Sequence, residues 1–484
     1  MMTLILIAFP FLAGFLILTN RNYVIIRNLS IGLSLIQLVL TAVLVYSFDP
    51  QGGMQFIFQA PWVDQLGINW NFGIDGISLL MILLTNLLIP FILFSGDINK
   101  QQKPNLLYAL IFFTQAALIG VFTSFNAIVF YIFWELALIP VFFILFLWGG
   151  ERRQPVTLKF FIYTLFGSLF MLAVFIFLYS KTPTHSFDHA AFTSLSLKSA
   201  GDSWVFFMLA VAFFIKIPLF PFHSWQPQTY TTAPYQGTMI LAGLLMKMGI
   251  YGIIRWLVPV MPYYTEQYSH IIIFLPLAGM IYASVIALRQ NNLKMLIAWS
   301  SLAHAGLMGA AIFARTNMAI QGVLLQSFSH GILIVALFYF VQLIEERTGT
   351  SNLERLGGIR NIAPIFSGLM LIIVLGSIGL PLTNGFPGEF LMIAGLFPAM
   401  PWYSILGGMT LILGAVYMLY AYQRAMLGEL NLVTANFPDL KLNEKLMIIP
   451  LVALVILFGI FPQLLLNLTE NSVQDLLNIT FSYK

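Results

Sequence analysis

The apolar positions of this chain fall in long runs separated by short polar or Gly/Pro-rich breaks, not in the one-sided stripes of soluble helices or the alternation of strands. About 20 mostly apolar residues suffice to cross a bilayer as a helix. Windows of that kind predict fourteen spans, near residues 2–19, 23–47, 75–96, 105–123, 125–147, 157–180, 203–222, 236–258, 269–288, 293–313, 317–344, 363–398, 402–427 and 445–467. The first run, Met1 to Leu18, has neither the basic start nor the small-residue cleavage site of a signal peptide and reads as a membrane helix. The expected fold is all-α and polytopic: one membrane domain over residues 1–484, with no Gly/Ser linker to divide it.

Prolines break two of these spans. Lys216 is followed by Pro218, Pro221, His223, Trp225 and Pro227, and Glu389 is preceded by Gly379, Pro381, Gly385, Pro387 and Gly388. Proline removes a backbone donor and clashes with the preceding turn, so helices seven and twelve are expected to be discontinuous. Unwound backbone at membrane depth survives only where it is buried in protein or lines a wet cavity. Each break lies beside a charged residue, as at the ion sites of transporters built from repeats. Glu135 precedes Lys216 by 81 residues and His304 precedes Glu389 by 85, with five spans in each unit. Five is odd, so helices 9–13 (residues 269–427) are expected to form an inverted copy of helices 4–8 (residues 105–258). Three helices (residues 1–101) precede the two units, and a loop with the last helix (residues 428–484) follows them.

Composition turns an apolar chain into a membrane chain: 60% of residues are hydrophobic and only 8% charged, against about 25% charged in soluble domains. The absence of cysteine excludes a cysteine-ligated iron–sulfur cluster, a disulfide framework and a CxxC redox pair. Any redox cofactor is therefore expected on another chain and none in this one. A net charge of +4 spread over scattered lysines and arginines leaves no nucleic-acid footprint. No His/Glu spacing resembles a metal site.

Loop charge supplies an orientation. With the N-terminus outside, the loops predicted inside carry 15 basic residues: Arg21, Arg27, Lys100, Lys103, Arg152, Arg153, Lys159, Arg289, Lys294, Arg347, Arg355, Arg360, Arg424, Lys441 and Lys445. The outer segments carry 5: Lys181, Lys198, Arg255, Arg315 and Lys484. Inner loops of membrane proteins are enriched in Lys and Arg, so both termini are expected on the outer side, and so clear a bias suits a bacterial plasma membrane. The longer loops 48–74 and 181–202 then face outward. The charged loop 345–362 faces inward and reads as a solvated surface.

Six ionisable residues remain inside the spans: Glu135, Lys216, Lys247, His304, His330 and Glu389. A charge at the bilayer centre costs about 2.5 to 3.5 kcal/mol. The four Glu and Lys would together cost about 10 to 14 kcal/mol if unpaired, which rivals the net stability of a domain, about 5 to 15 kcal/mol. They must be paired, hydrated or neutral. Desolvation favours the neutral form of either group, and the approach or withdrawal of a neighbouring charge then decides whether a proton is held. Histidine titrates nearest neutrality and suits a relay. The plainer readings are structural ion pairs for Glu135, Lys216 and Lys247, and helix packing for His304 and His330. His223, just past a break, divides between loop structure and chemistry. Asp75 at the head of the third span reads as a helix cap, and His185, His189 and His270 fall in outer loops.

Several motifs carry a family resemblance: Trp134-Glu135, Lys216-x-Pro-x-x-Pro-x-His223-x-Trp225-x-Pro227, Ala233-Pro234, Leu241-Ala-Gly-Leu-Leu-Met-Lys247-Met-Gly249-Ile-Tyr251-Gly252, Ser300-Ser-Leu-Ala-His304 and Gly385-Phe-x-Gly-Glu389-Phe. Over nearly its whole length the chain resembles the antiporter-like membrane subunits of respiratory complex I (NADH-quinone oxidoreductase). The resemblance implies fourteen helices, two inverted five-helix repeats and a hydrated central axis for protons. It assigns Glu135 as the partner that modulates Lys216, Lys216 as the pumping lysine, Lys247 as the connecting lysine, His304 and His330 as relays, and Glu389 as the terminal carrier toward the outer side. Glutamate at 389 favours the M-type chain, the counterpart of mitochondrial chain 4, since L- and N-type chains are expected to have lysine there. A chain ending near residue 484 is also expected to lack the long lateral helix of an L-type chain. Two positions depart from the pattern: Gln228-Thr-Tyr230 stands where Asp-Ala-His is usual, and Pro381-Leu382-Thr383 where Pro-Gly-Thr is common.

The leading expectation is a proton-translocating subunit of the NADH dehydrogenase of a respiratory chain. Its partners would be the other membrane-arm subunits, especially neighbouring antiporter-like chains, and the lipid bilayer, and it would hold no redox site of its own. A subunit of a multisubunit sodium/proton antiporter is the second reading. A lipid-embedded scaffold, in which the charges only tie helices together, is the third.

Overall fold

The computed structural model describes residues 1–96 and 102–481; Lys100 and Lys484, counted above among the loop charges, lie outside the described residues. Eleven described helices are long and apolar enough to cross a membrane, and four shorter apolar helices accompany them. In chain order the helices used below are α1 (Met2–Leu18), α2 (Tyr23–Ser47), α3 (Gly76–Phe94), α4 (Pro104–Thr123), α5 (Ala127–Trp148) and α6 (Arg153–Lys181). They continue with α7 (Ser203–Lys216), α8 (Gln226–Thr232), α9 (Tyr235–Leu257), α10 (Ser269–Leu288), α11 (Leu293–Ile312) and α12 (Asn317–Thr348). The last are α13 (Pro364–Ser377), α14 (Gly385–Leu396), α15 (Pro401–Met426), α16 (Leu442–Ile460) and α17 (Gln463–Phe481).

Local chemistry sets many of these ends. The side chains of Asn22, Asp75, Asn126, Asn292 and Thr316 accept from backbone N–H groups of the first turns of α2, α3, α5, α11 and α12, satisfying donors that a helix start leaves free. Asp75 is thus a cap, as its position suggested. Both proline-rich breaks appear where expected: the chain leaves helical form between Lys216 and Gln226, and again between Ser377 and Gly385.

Polarity is arranged for a lipid solvent. On α6, Leu158, Ile162, Phe166, Leu169 and Ile176 are exposed, while Thr157, Thr164 and Ser168 face inward. The two helices at the centre, α9 and α12, are enclosed by protein across their apolar windows. α12 packs against α3, α11, α14 and α17, and α9 touches both α7 and α12.

Three features differ from the sequence expectation. Residues 48–74 are not merely loop: Gln55–Val63 (β1) and Ile68–Ile74 (β2) form an antiparallel hairpin, with Trp62 and Trp70 stacked at 4.5 Å. The polar Gln and Asn positions and Pro61 hid its alternation, and the turn relies on Gly67 at φ +61°. The last predicted span overran a stop: α16 ends at Ile460, Pro462 interrupts, and α17 follows as a separate helix against α3 and α12. Finally α9 is not a regular helix. It contains two π-helical segments, Leu241–Leu245 and Ile253–Leu257, which apolar runs alone do not announce.

Candidate functional site

The break after α7 leaves Lys216 as the last helical residue, fully enclosed. Its Nζ sits 5.0 Å from the ring centre of Trp134 on α5 and has no hydrogen-bond partner among the described residues. Glu135, the next residue on α5, lies within electrostatic reach of Lys216 without ion-pair contact. It is half-buried, on a helix face that also exposes Ile132, Ile139 and Phe143, so it stands at the perimeter of the bundle. Gly249 of α9 allows the close approach here, since a Cβ on it would fall 2.4 Å from Ile217.

Lys247 is held by the π segment that precedes it. Widening the helix turns a carbonyl toward the fifth residue on, and Lys247 Nζ donates to Ala242 O at 2.8 Å. The same Nζ lies 2.9 Å from His330 Nδ1 on α12; with Nδ1 unprotonated, the lysine donates and the imidazole accepts. The His330 and His304 rings meet edge to face at 5.8 Å. His304 Nδ1 in turn lies 3.0 Å from Glu389 Oε1, at ion-pair distance without hydrogen-bond alignment. Gln326 Nε2 donates to that oxygen at 3.2 Å. Four of the six candidates thus form one contact chain across α9, α12, α11 and α14. Lys216 and Glu135 stand apart from it as a second group.

A small cavity of about 10 Å³, room for about one water, lies among Ser300, His304, Gln326, His330 and Ser377. The second break positions Glu389 tightly: Gly379 has φ +69°, and a Cβ there would lie 2.5 Å from Glu389 Oε2. His223 falls among rings, stacked on Phe220 at 5.6 Å and edge-on to Tyr282 and Trp299. No ionisable group of the contact chain touches it. Gln228 and Tyr230, at the first departure from the family pattern, sit on α8. Tyr230 packs edge-on against Phe338 at 6.3 Å.

Two clusters escaped the sequence reading. Arg255, counted with the outer loop charges, is buried in the second π segment of α9 and pairs with Asp75 at 2.5 Å. His189 Nε2 contacts Arg255 O at 2.7 Å. The signal was available, because an arginine inside an apolar window requires a partner. The loop 345–362 is also less solvated than expected. Tyr235 donates to Glu345, Arg347 pairs with Glu444, and Lys294 Nζ donates to Ala233 O at 2.8 Å while lying 4.1 Å over the Tyr235 ring.

Residues 124–415 match the transmembrane family described as NADH:quinone oxidoreductase/Mrp antiporter, and that stretch contains all six candidate residues. The chain belongs to this family. Within the NADH:quinone oxidoreductase/Mrp antiporter family it is similar to NADH-quinone oxidoreductase subunit M of Rickettsia prowazekii (strain Madrid E), at 38% identity over 93% of each chain. Among solved structures it is similar to a chain of respiratory complex I from Thermus thermophilus with bound NADH. There the TM-score is 0.90 and the identity 29%, over 99% of this chain and 100% of that one. The fold also recurs in a chain of the Mrp complex from Dietzia sp. DQ12-45-1b, with TM-score 0.88 at 19% identity, over 98% of this chain and 97% of the other. The resemblance seen in the motifs therefore holds over almost the whole chain.

Proposed function

We propose that this chain is a proton-translocating, antiporter-like subunit of the membrane arm of an NADH-quinone oxidoreductase, driven by redox chemistry on other subunits. The observation that carries the reading is the contact chain Lys247, His330, His304, Glu389, whose two closest links are 2.9 and 3.0 Å. A proton leaving Lys247 Nζ goes to His330 Nδ1, and one leaving His304 Nδ1 goes to Glu389 Oε1. Both rings line the small cavity that Ser300, Gln326 and Ser377 share with Leu333, Ile334 and Leu337. Lys216 is the loading lysine, and Glu135 at the perimeter adjusts its charge from a position that a neighbouring antiporter-like subunit can influence.

The eleven long helices, together with α1 and the two broken pairs α7–α8 and α13–α14, accommodate fourteen spans, ten of them in two inverted five-helix units. In that arrangement the hairpin lies on the outer side of a bacterial plasma membrane, with both termini. The redox cofactors belong to partner chains. A sodium/proton antiporter subunit is the less favoured reading, since the likeness to the Mrp chain is one of fold while the NADH-quinone oxidoreductase relative matches over nine-tenths of both chains.

The test is Lys216→Ala in the assembled complex, reconstituted in vesicles, with protons moved per NADH oxidised as the readout. A clear fall is expected. Unchanged stoichiometry would overturn the mechanism and favour a purely structural role for the buried charges. The proteins that co-purify with the chain separate the two transport readings: NADH- and quinone-reactive subunits support the first, and a set of small antiporter subunits the second.

A further inference from the structure

Asp75, Arg255, Tyr251 and His189 take no part in the proposed path, yet Tyr251 and Arg255 share α9 with Lys247, and Asp75 and His189 contact Arg255. On α9, Lys247, Tyr251 and Arg255 recur every four residues, and the Arg255 guanidinium lies 5.5 Å over the Tyr251 ring. About 12 Å of helix separates the first from the last. Beyond Arg255 the protein opens at its hairpin end into a cavity of about 320 Å³, lined among others by Asn71, Asp75, His189, Arg255, Ser472 and Asp475. That is room for on the order of ten waters. Arg255 lines this space, and Tyr251 lies between Arg255 and Lys247 in the same helix.

The Tyr251 hydroxyl and Arg255 Nη2 are each hydrogen-bonded. Tyr251 is fully buried, and its hydroxyl donates to Phe122 O at 2.9 Å and lies 3.1 Å from Ser78 Oγ. Arg255 Nη2 donates to Asp75 Oδ2 at 2.5 Å, and the other Asp75 oxygen accepts from Ser78 N at 2.9 Å. The guanidinium also lies 4.9 Å over the Phe125 ring and 5.5 Å over that of Tyr251. An arginine holds its protons at any working pH and has no acceptor site, so it cannot pass a proton along. Its fixed charge also repels one that approaches, the device by which an arginine excludes protons from a pore.

We propose that Arg255 is the residue that seals the Lys247 column against the hairpin-side cavity, so that a proton on Lys247 leaves only through His330. The inference rests on the proton-transfer reading above. Asp75 is then a positioning residue that holds the guanidinium in place. Left alone, its carboxylate would face both the cavity and Tyr251 and act as a relay.

The test measures passive proton permeability of vesicles containing the intact complex, without NADH, under an imposed pH gradient and a potassium diffusion potential. Removing a unit charge about 12 Å away, at an effective dielectric constant of about 20, changes proton occupancy about tenfold. Arg255→Gln is expected to raise the leak by about that factor. Asp75→Asn, whose amide oxygen still accepts from the guanidinium and so keeps it positioned, is expected to stay as tight as the parent. A merely structural ion pair predicts the reverse symmetry, with both variants equally leaky, and that result overturns the proposal; so does an assembled Arg255→Gln complex that does not leak. Should Arg255→Gln fail to assemble, Arg255→His decides. It keeps a cation able to pair with Asp75 but one that can release its proton, so its leak must rise above that of Asp75→Asn, and an equally tight complex overturns the proposal. Because no turnover is needed, failure here is separate from failure of Lys216→Ala to stop pumping.

Discussion

His304 Nδ1 lies 3.0 Å from Glu389 Oε1 at the point where the backbone between α13 and α14 unwinds. Gln326 donates to the same oxygen, and Glu389 Oε2 has no partner among the described residues. In the proposed path Oε1 faces both Gln326 and His304, the proton donor, and Oε2 is left for onward transfer. Glu389→Gln preserves the shape and the polar contacts but cannot carry a proton. We expect it to lower coupled turnover by about 100-fold or more, in the range seen for loss of a general acid–base group, with Glu389→Asp milder. NADH-driven acidification in vesicles checks this, and normal pumping by Glu389→Gln would remove the residue from the path.

In the proposed mechanism Glu135 acts at a distance, through its charge, on a lysine it does not touch. Coupling energies between separate sites correspond to about 5- to 150-fold effects, and a half-buried group belongs at the low end. Glu135→Gln is expected to slow turnover about fivefold with assembly intact, and Glu135→Asp less. If the parent and both variants turn over equally, Glu135 has no coupling role.

How much of this was legible in the sequence follows from where the signal lay. Spans and breaks were readable because apolar runs and prolines act locally, and Glu389 and Lys216 stood out as charges beside those breaks. The hairpin was not readable, because β1 contains Pro61 and two glutamines and gains its order from pairing with β2, which in turn bridges through Phe72 to Ser124. The π segments were hidden for a different reason: a helix of fully buried apolar residues has no polar face to show a change of period. Arg255 was misplaced because counting charges by loop ignores the partner, Asp75, 180 residues away.

Gly379 offers a test of the second break. Alanine in its left-handed conformation (φ +69°) costs about 1–2 kcal/mol, and its Cβ would also meet Glu389 Oε2 at 2.5 Å. Gly349 has the same φ, with nothing within 4 Å of a Cβ. Both alanine variants should lose a similar amount of stability, but only Gly379→Ala should also lose pumping, by displacing the carboxylate. Thermal melting of the assembled complex and acidification rates, measured side by side, separate backbone strain from site geometry. Equal pumping by the two would mean that the contact with Gly379 does not position Glu389.

His189 gives the hairpin end a dependence on pH whose sign is fixed by its surroundings. Its ring is edge-on to Trp256 at 5.1 Å and to Phe125 at 6.0 Å, and Nε2–H donates to Arg255 O at 2.7 Å. Burial first, and then the Arg255 charge, push its pKa from 6.5 down to about 4. Between those values the unfolded chain binds a proton that the folded chain refuses, so the contribution to stability is complete above 6.5 and is lost as pH falls toward about 4. The slope for one such group is at most about 1.4 kcal/mol per pH unit. His189→Gln retains an N–H donor and removes the titration. The variant's melting temperature should therefore fall less than the parent's between pH 7.5 and pH 5, while the two respond alike above pH 7. Parallel curves throughout would show that His189 titrates freely and that the enclosure by Trp256 and Phe125 does not hold it neutral.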